Sequence, residues 1–311
     1  MDVFLSEAFL SSLLRGSVIA ALPLLLAGLG EQLSEKAGIL NIGIEGVMMF
    51  GAYMGFLVAL TTGSFWAGFV AAAILGAFIG LVIALLCVKF GMNQIIVGIA
   101  VTLTATGVTA LLHYFQFSRT YPRLPAAEAL PIPGLASLPT LGNGLFNHHL
   151  LVYLGLLSTA GFAFIYRYTY FGLNLASAGE KPEALDAAGV NVMGTRTIAL
   201  AIAGAMSGLG GAFLSEIGSG IFVPHMTNGA GFIAVVLAML GRGHPSWVLG
   251  GALLFGACLS ATTALQVAGI NISTDIIQTL PFVMVMLVLI LFGKRSRMPS
   301  ALGAPYQRGV R

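Results

Sequence analysis

Few side chains in this sequence can do chemistry, and those that can lie in apolar surroundings. Glu45 sits inside the apolar run 43–61, four residues after Asn41, and that spacing predicts both side chains on one face of a helix. An ionisable group inside such a run is costly to bury and faces a cavity or a partner. Asn93 and Gln94 open a second apolar run and Gln278 lies in a third. Amide side chains both donate and accept, which suits a neutral, hydrogen-bonding solute. Asn41, Glu45, Asn93, Gln94 and Gln278 therefore form the candidate solute pathway. A structural role competes at each: Glu45 can pair with Lys36 or cap backbone groups, and the amides can bond across helices. Asp275 and Glu216 fall at the ends of apolar runs and read as interfacial, and His113 as a satisfied polar residue.

Catalysis finds no footing. The sequence has no H-E-x-x-H, no P-loop and no G-x-S-x-G, and its five histidines are scattered. Cys87 and Cys258 both lie in apolar runs and read as packing residues, with no metal site expected.

One polar island interrupts this apolar chain, from Gly172 to Asn191. Pro182 suits the first turn of a helix, Glu183 complements its positive end, and Gly189 suits the left-handed position that ends it. The spacing predicts a helix of about two turns, too short to be stable alone in water. It must dock, either on its own chain or on another protein. The density of Ala and Gly (Ala184, Ala187, Ala188, with Gly179 and Gly189 flanking) gives a flat face suited to a partner.

The elements that hold these residues are membrane spans. Hydrophobic residues make up 58% of the chain and charged ones 8%, with mean hydropathy +0.96, whereas soluble proteins carry about a quarter charged residues. Apolar runs near the ~20 residues a spanning helix needs fall at 65–88, 94–115, 150–170, 197–216, 246–267 and 276–293, with charge in them only at Arg167 and Glu216 near two of their ends. Three stretches are less regular: 17–30, short and holding Pro23; 43–61, holding Glu45; and 229–241, too short to cross unaided. Broken segments are where transporters place solute sites. The expected fold is an all-α integral membrane protein, a bundle of about 8–10 spanning helices with broken or short segments, in one domain over residues 1–311. Gly76 with Gly80, and Gly204 with Gly208, read as close helix packing.

Basic residues near span ends mark the cytoplasmic side. Lys294, Arg295 and Arg297 place the C-terminus there, together with Arg242, His244, Lys181 and Arg196. The loop 116–149, rich in Pro and Gly, then falls outside, although its Arg119 and Arg123 weigh the other way; the side of the N-terminus stays open. Asp2 and Glu7 precede Arg15, so the start lacks the basic region of a cleaved signal and reads as mature sequence.

Two segments carry a resemblance to a known family. A-G-E-K-P-E-A-L-D-A-A-G-V, Ala178 to Val190, resembles the cytoplasmic coupling loop of ABC-importer permeases. E-K-A-G-I-L-N-I-G-I-E-G-V-M-M-F-G-A-Y, Glu35 to Tyr53, is similar to the signature of permeases for branched-chain amino acids, monosaccharides and nucleosides, and most resembles the nucleoside-type branch. The resemblance implies a coupling loop over about 172–196, with Gly179, Glu180, Pro182, Ala184, Ala187, Ala188 and Gly189 meeting an ATPase subunit. It also implies a second homologous permease, an extracytoplasmic substrate-binding lipoprotein, ATP and Mg bound by the ATPase and no cofactor on this chain, in a prokaryotic plasma (inner) membrane. No nucleic-acid partner is expected. Glu180 to Pro182 stand where sugar permeases commonly have Asn after the Gly, which speaks against a ribose-type solute. Ion-coupled secondary transport is the rival reading, since it too uses broken helices and buried carboxylates; a docking helix is what it has no use for.

Overall fold

The computed structural model describes residues 7–138, 140–267 and 298–306, with isolated positions between 279 and 290. Gln278, Asp275, most of the run 276–293 and the cluster Lys294, Arg295 and Arg297 lie outside the described residues. The long helices are α1 (Glu7–Lys36), α2 (Ile44–Thr62), α3 (Phe65–Ala84, continued as π-helix over Leu85–Lys89), α4 (Gln94–Phe117), α6 (Leu150–Tyr168), α9 (Val192–Phe213, continued as π-helix over Leu214–Ser219) and α11 (Pro245–Val267). Short helices are α5 (Leu141–Leu145), α7 (Tyr170–Glu180), α8 (Pro182–Ala187) and α10 (Ala230–Leu240), and Leu130–Pro131 pairs antiparallel with Asn147–His148. Among the described residues 7 helices are long and apolar enough to cross a membrane.

Glycine sets the packing. α9 lies against α1, α2 and α3, and on α3 the carbonyl of Gly76 occupies the place a Cβ of Gly204 would take. Leu200 stands likewise over Gly80, Ala72 over Gly208, and on α2 the Met48 carbonyl over Gly211. Lipid gives helices no hydrophobic reason to associate, so close backbone approach must supply the attraction. The two glycine pairs read from spacing therefore face each other.

The expected break at residues 17–30 is absent. α1 runs 30 residues through Pro23, about 45 Å at 1.5 Å per residue, against a hydrocarbon core of about 30 Å. Proline removes one hydrogen bond, which neighbouring helices make tolerable in a membrane; here Leu22, Leu24, Leu25, Leu29 and Leu33 are all buried. The helix also continues beyond the apolar run because Glu31, Gln32, Ser34 and Glu35 are themselves buried. The segment 43–61 is likewise a regular span once its start is moved to Ile44.

Residues 229–241 are short as expected. α10 has 11 residues, about 16 Å of helix. The chain reaches it through the irregular segment 220–229, in which His225 (φ 66°), Asn228 (φ 43°) and Gly229 (φ 83°) are left-handed. Phe222, fully buried, anchors that segment against Tyr53 and Phe56. Irregular backbone at this depth is tolerated only inside protein or a cavity.

The island is helical over most of its length. Thr169 accepts the Gly172 N–H (3.1 Å) and starts α7; Asn191 accepts the Gly194 N–H (2.9 Å) and starts α9. Between these two caps the island holds a helix pair, α7 and α8.

Candidate functional site

Asn41 and Glu45 do not share a helix face, because α2 begins only at Ile44. Residues 37–43 form a turn: Gly38 is left-handed (φ 87°), and its fixed points are side chains from elsewhere. The Glu31 carboxylate accepts the Asn41 backbone N–H (2.9 Å) and the Ser34 hydroxyl (3.0 Å). Gln94 Oε1 accepts the Leu40 N–H (2.8 Å). Gln94 thus holds the turn, while the exposed Asn93 caps its own helix through the Ile95 N–H (2.9 Å).

The Asn41 side chain is 1% exposed, and neither its carbonyl oxygen nor its amide nitrogen has a hydrogen-bond partner among the described residues. Unpartnered buried polar atoms cost about 1–3 kcal/mol each and call for an explanation. A solute that both donates and accepts would satisfy this amide.

Glu45 clamps the broken segment. Its Oε1 accepts the Thr227 hydroxyl (2.6 Å) and the Gly229 N–H (2.9 Å), and its Oε2 accepts the Gly231 N–H (2.6 Å). These donors are the N-terminus of α10, whose positive dipole end favours a carboxylate. The arrangement ties the start of α2 to the start of α10. Of the two structural roles open to Glu45, it is the capping of backbone groups that occurs and not the pairing with Lys36, whose ammonium lies 4.6 Å from the centre of the Tyr166 ring. Thr227, Gly229 and Gly231 were not foreseen. Their signal was present: Thr-Asn-Gly ahead of an apolar run is a helix start.

α8 has the geometry expected of it. Pro182 stands at its first position, and Gly189 (φ 82°) closes it with its N–H to the Asp186 carbonyl (2.9 Å). Pro182 and Leu185 are buried, Leu185 among Ala178, Val192 and Tyr306. Glu183, Ala184, Ala187, Ala188 and Gly189 are exposed, as is Glu180. Gly179 is buried instead, packed on the carbonyl of Lys36. Two turns dock through one face and leave a flat Ala and Gly face outward.

Each end of the bundle holds a cavity. Beside α8, one of about 210 Å3 is lined by Gln32, Glu35, Lys36, Glu180, Arg242 and Pro299. At the opposite end, one of about 380 Å3 is lined by Arg15, Arg123, His148, His149, Glu216 and Ser219 among others. Glu216 is 2% exposed and its carboxylate has no partner among the described residues, so it is a buried group and not the interfacial one expected. Burial lowers the affinity of both histidines for a proton. For His148 the bond between Nε2 and the Gly144 carbonyl (2.9 Å) opposes that and nearby Arg15 adds to it. His113 is also buried, stacked on Tyr121, with Nε2 unpartnered.

Residues 13–292 match the family profile described as branched-chain amino acid transport system / permease component. A putative glucose ABC transporter permease protein, TsgC13 of Haloferax volcanii, is 40% identical over 80% of this chain and 76% of its own. The guanosine ABC transporter permease protein NupQ of Bacillus subtilis is 33% identical over 97% of this chain and 98% of its own. The nucleoside ABC transporter permease protein NupC of Lactococcus lactis is 30% identical over 96% and 97%.

Proposed function

We propose, from the premise that the chain belongs to the family of permease components of branched-chain amino acid transport systems, that it carries a nucleoside inward by alternating access, driven by a separate ATPase. The observation that carries this reading is the outward face of α8: Ala184, Ala187, Ala188 and Gly189 present a flat surface on a helix anchored through Pro182 and Leu185. A carrier run by an ion gradient has no use for such a face. ATP and Mg belong to that partner. A second permease and an extracytoplasmic binding lipoprotein complete the assembly in a prokaryotic plasma membrane, with α8 and the C-terminus on the cytoplasmic side and residues 1–311 acting as one permease domain.

A nucleoside is supported by the two relatives named for guanosine and nucleosides, which align along almost the whole chain. The unpartnered Asn41 amide suits a neutral solute with both donors and acceptors. A hexose is the second reading, favoured by the 40% identity to the putative glucose permease. Uptake of labelled guanosine by cells with and without this chain decides between them: guanosine uptake should depend on it, and excess glucose should compete poorly. Competition by glucose as strong as by unlabelled guanosine would replace the first reading with the second.

A further inference from the structure

Arg196, in the second turn of α9, is 2% exposed and spends its guanidinium on three backbone carbonyls. Nε donates to Ala37 (3.1 Å), just beyond α1; Nη2 to Ala178 (3.1 Å), in α7; and Nη1 to Ala304 (2.9 Å), in the segment 298–306. The three carbonyls lie in separate stretches of the sequence, and one rigid, planar fork holds them at fixed spacing.

The segment 298–306 closes the same knot. The Ala301 N–H donates to the Gly179 carbonyl (2.8 Å), the Gly303 N–H to the Gly38 carbonyl (3.0 Å), and the Ser300 hydroxyl to the Glu180 carbonyl. Tyr306 packs with Leu185, the side chain through which α8 docks. There is no slack between the arms: a Cβ on Gly38 would stand 2.9 Å from Arg196 Nη2 and 3.1 Å from the Gly179 Cα. Any displacement of α7 and α8 must therefore be shared by Ala37 and Gly38. Those residues open the turn 37–43 that carries Asn41, four positions before Glu45 and its clamp on α10.

We propose that Arg196 is the positioning residue that passes movement of α8 to the turn carrying Asn41 and to the clamp at Glu45, with residues 298–306 as the third arm of the tie. This rests on the ATP-driven reading above. Coupling between sites needs a connected physical network that moves as a unit, and the network here is the Arg196 fork with its three carbonyls.

The test uses the membrane-embedded complex with the ATPase that co-purifies, in liposomes, comparing the unaltered chain with Arg196→Lys and with a deletion of residues 298–311. Lysine keeps the charge but lacks the fork. Both variants should retain the ATPase and hydrolyse ATP, with an unchanged KM for guanosine, while ATP hydrolysed per guanosine moved rises about fivefold or more. An unchanged ratio in both overturns the proposal, as does loss of the ATPase from both, which would make the tie a prop for docking. Should Arg196→Lys fail to insert, the ratio for the deletion decides alone. If the unaltered chain retains no ATPase, the ATP-driven reading itself falls, and the variants play no part in that result.

Discussion

At the scale of single residues, two buried polar side chains four positions apart, Asn41 and Glu45, have opposite energetics. Glu45 is saturated, with three donors on two oxygens. Glu45→Gln keeps one acceptor but turns an NH2 donor toward a donor-rich helix start, leaving buried donors unmet. We expect a loss of about 1–3 kcal/mol, read as a lower unfolding temperature in detergent, together with impaired uptake; a variant as stable as the parent would mean that the clamp carries little. Asn41 is the reverse case, a buried amide without a partner. Replacing an unsatisfied polar group by an apolar one of similar size is neutral or stabilising, so Asn41→Leu should melt no lower than the parent and yet lose most uptake. Retained uptake would remove Asn41 from the pathway. His149 bears on pH. Its Nδ1 accepts the Leu151 N–H at the start of α6 (3.3 Å), and burial lowers its pKa below the usual value. In the window between about 6.5, the ordinary value, and the lowered one, the unfolded chain holds more protons, so stability is present above about 6.5 and is lost as pH falls through that window. His149→Asn keeps a capping oxygen without titrating and should flatten the dependence of melting temperature on pH in that range; His148, also lowered by burial, leaves a residual slope. An unchanged slope would place the acid sensitivity elsewhere.

At the scale of elements, the decisive surface is α8. Ala187 is exposed on its flat face, and Ala187→Glu would place a charge where an apposed protein desolvates it, at a cost of several kcal/mol if unpaired. Gly189 is left-handed (φ 82°), a conformation closed to proline, so Gly189→Pro should disrupt the end of the helix. Both variants should insert in the membrane yet fail to co-purify with an ATPase, and wild-type uptake by both would deny α8 its role. This helix was legible in the sequence because its signals are local: Pro182, Glu183 and Gly189 act within two turns. The glycine pairs Gly76 with Gly80 and Gly204 with Gly208 were legible for the same reason. α1 was not, since a run that meets Glu31 and Glu35 reads as leaving the membrane, and only the tertiary structure buries those carboxylates. The Asn41 turn was missed likewise. Its hydrogen bonds come from Glu31 and Gln94, and partners ten and more residues away leave no trace in helical spacing.

At the scale of the whole molecule, the fold sorts basic side chains between two ends, and that sorting bears on orientation. Lys36, Lys181, Arg196 and Arg242 gather at the α8 end: Arg196 bonds Ala37, and Lys36 and Arg242 line one cavity with Glu180. Lys89 and Arg167 join them, because α3 and α6 both run toward that end and carry these residues in their last turns. Arg15 and Arg123 meet at the opposite cavity with the loop that follows α4. The α8 end is thus the more basic, and the positive-inside tendency supports the proposed orientation, with this end toward the cytoplasm, without help from residues beyond Val267. A thiol-labelling experiment reads this directly, provided the probes are exposed. Leu185 is 5% exposed and would stay unlabelled on either side; Ala187 and Ser137 are exposed on opposite ends. In a variant lacking the buried Cys87 and Cys258, Ser137→Cys should react with an impermeant maleimide added to intact cells, while Ala187→Cys should react only after the membrane is opened. The reverse pattern would invert the protein in the bilayer and put α8 out of reach of any cytoplasmic ATPase, removing the basis for ATP-driven import along with the orientation.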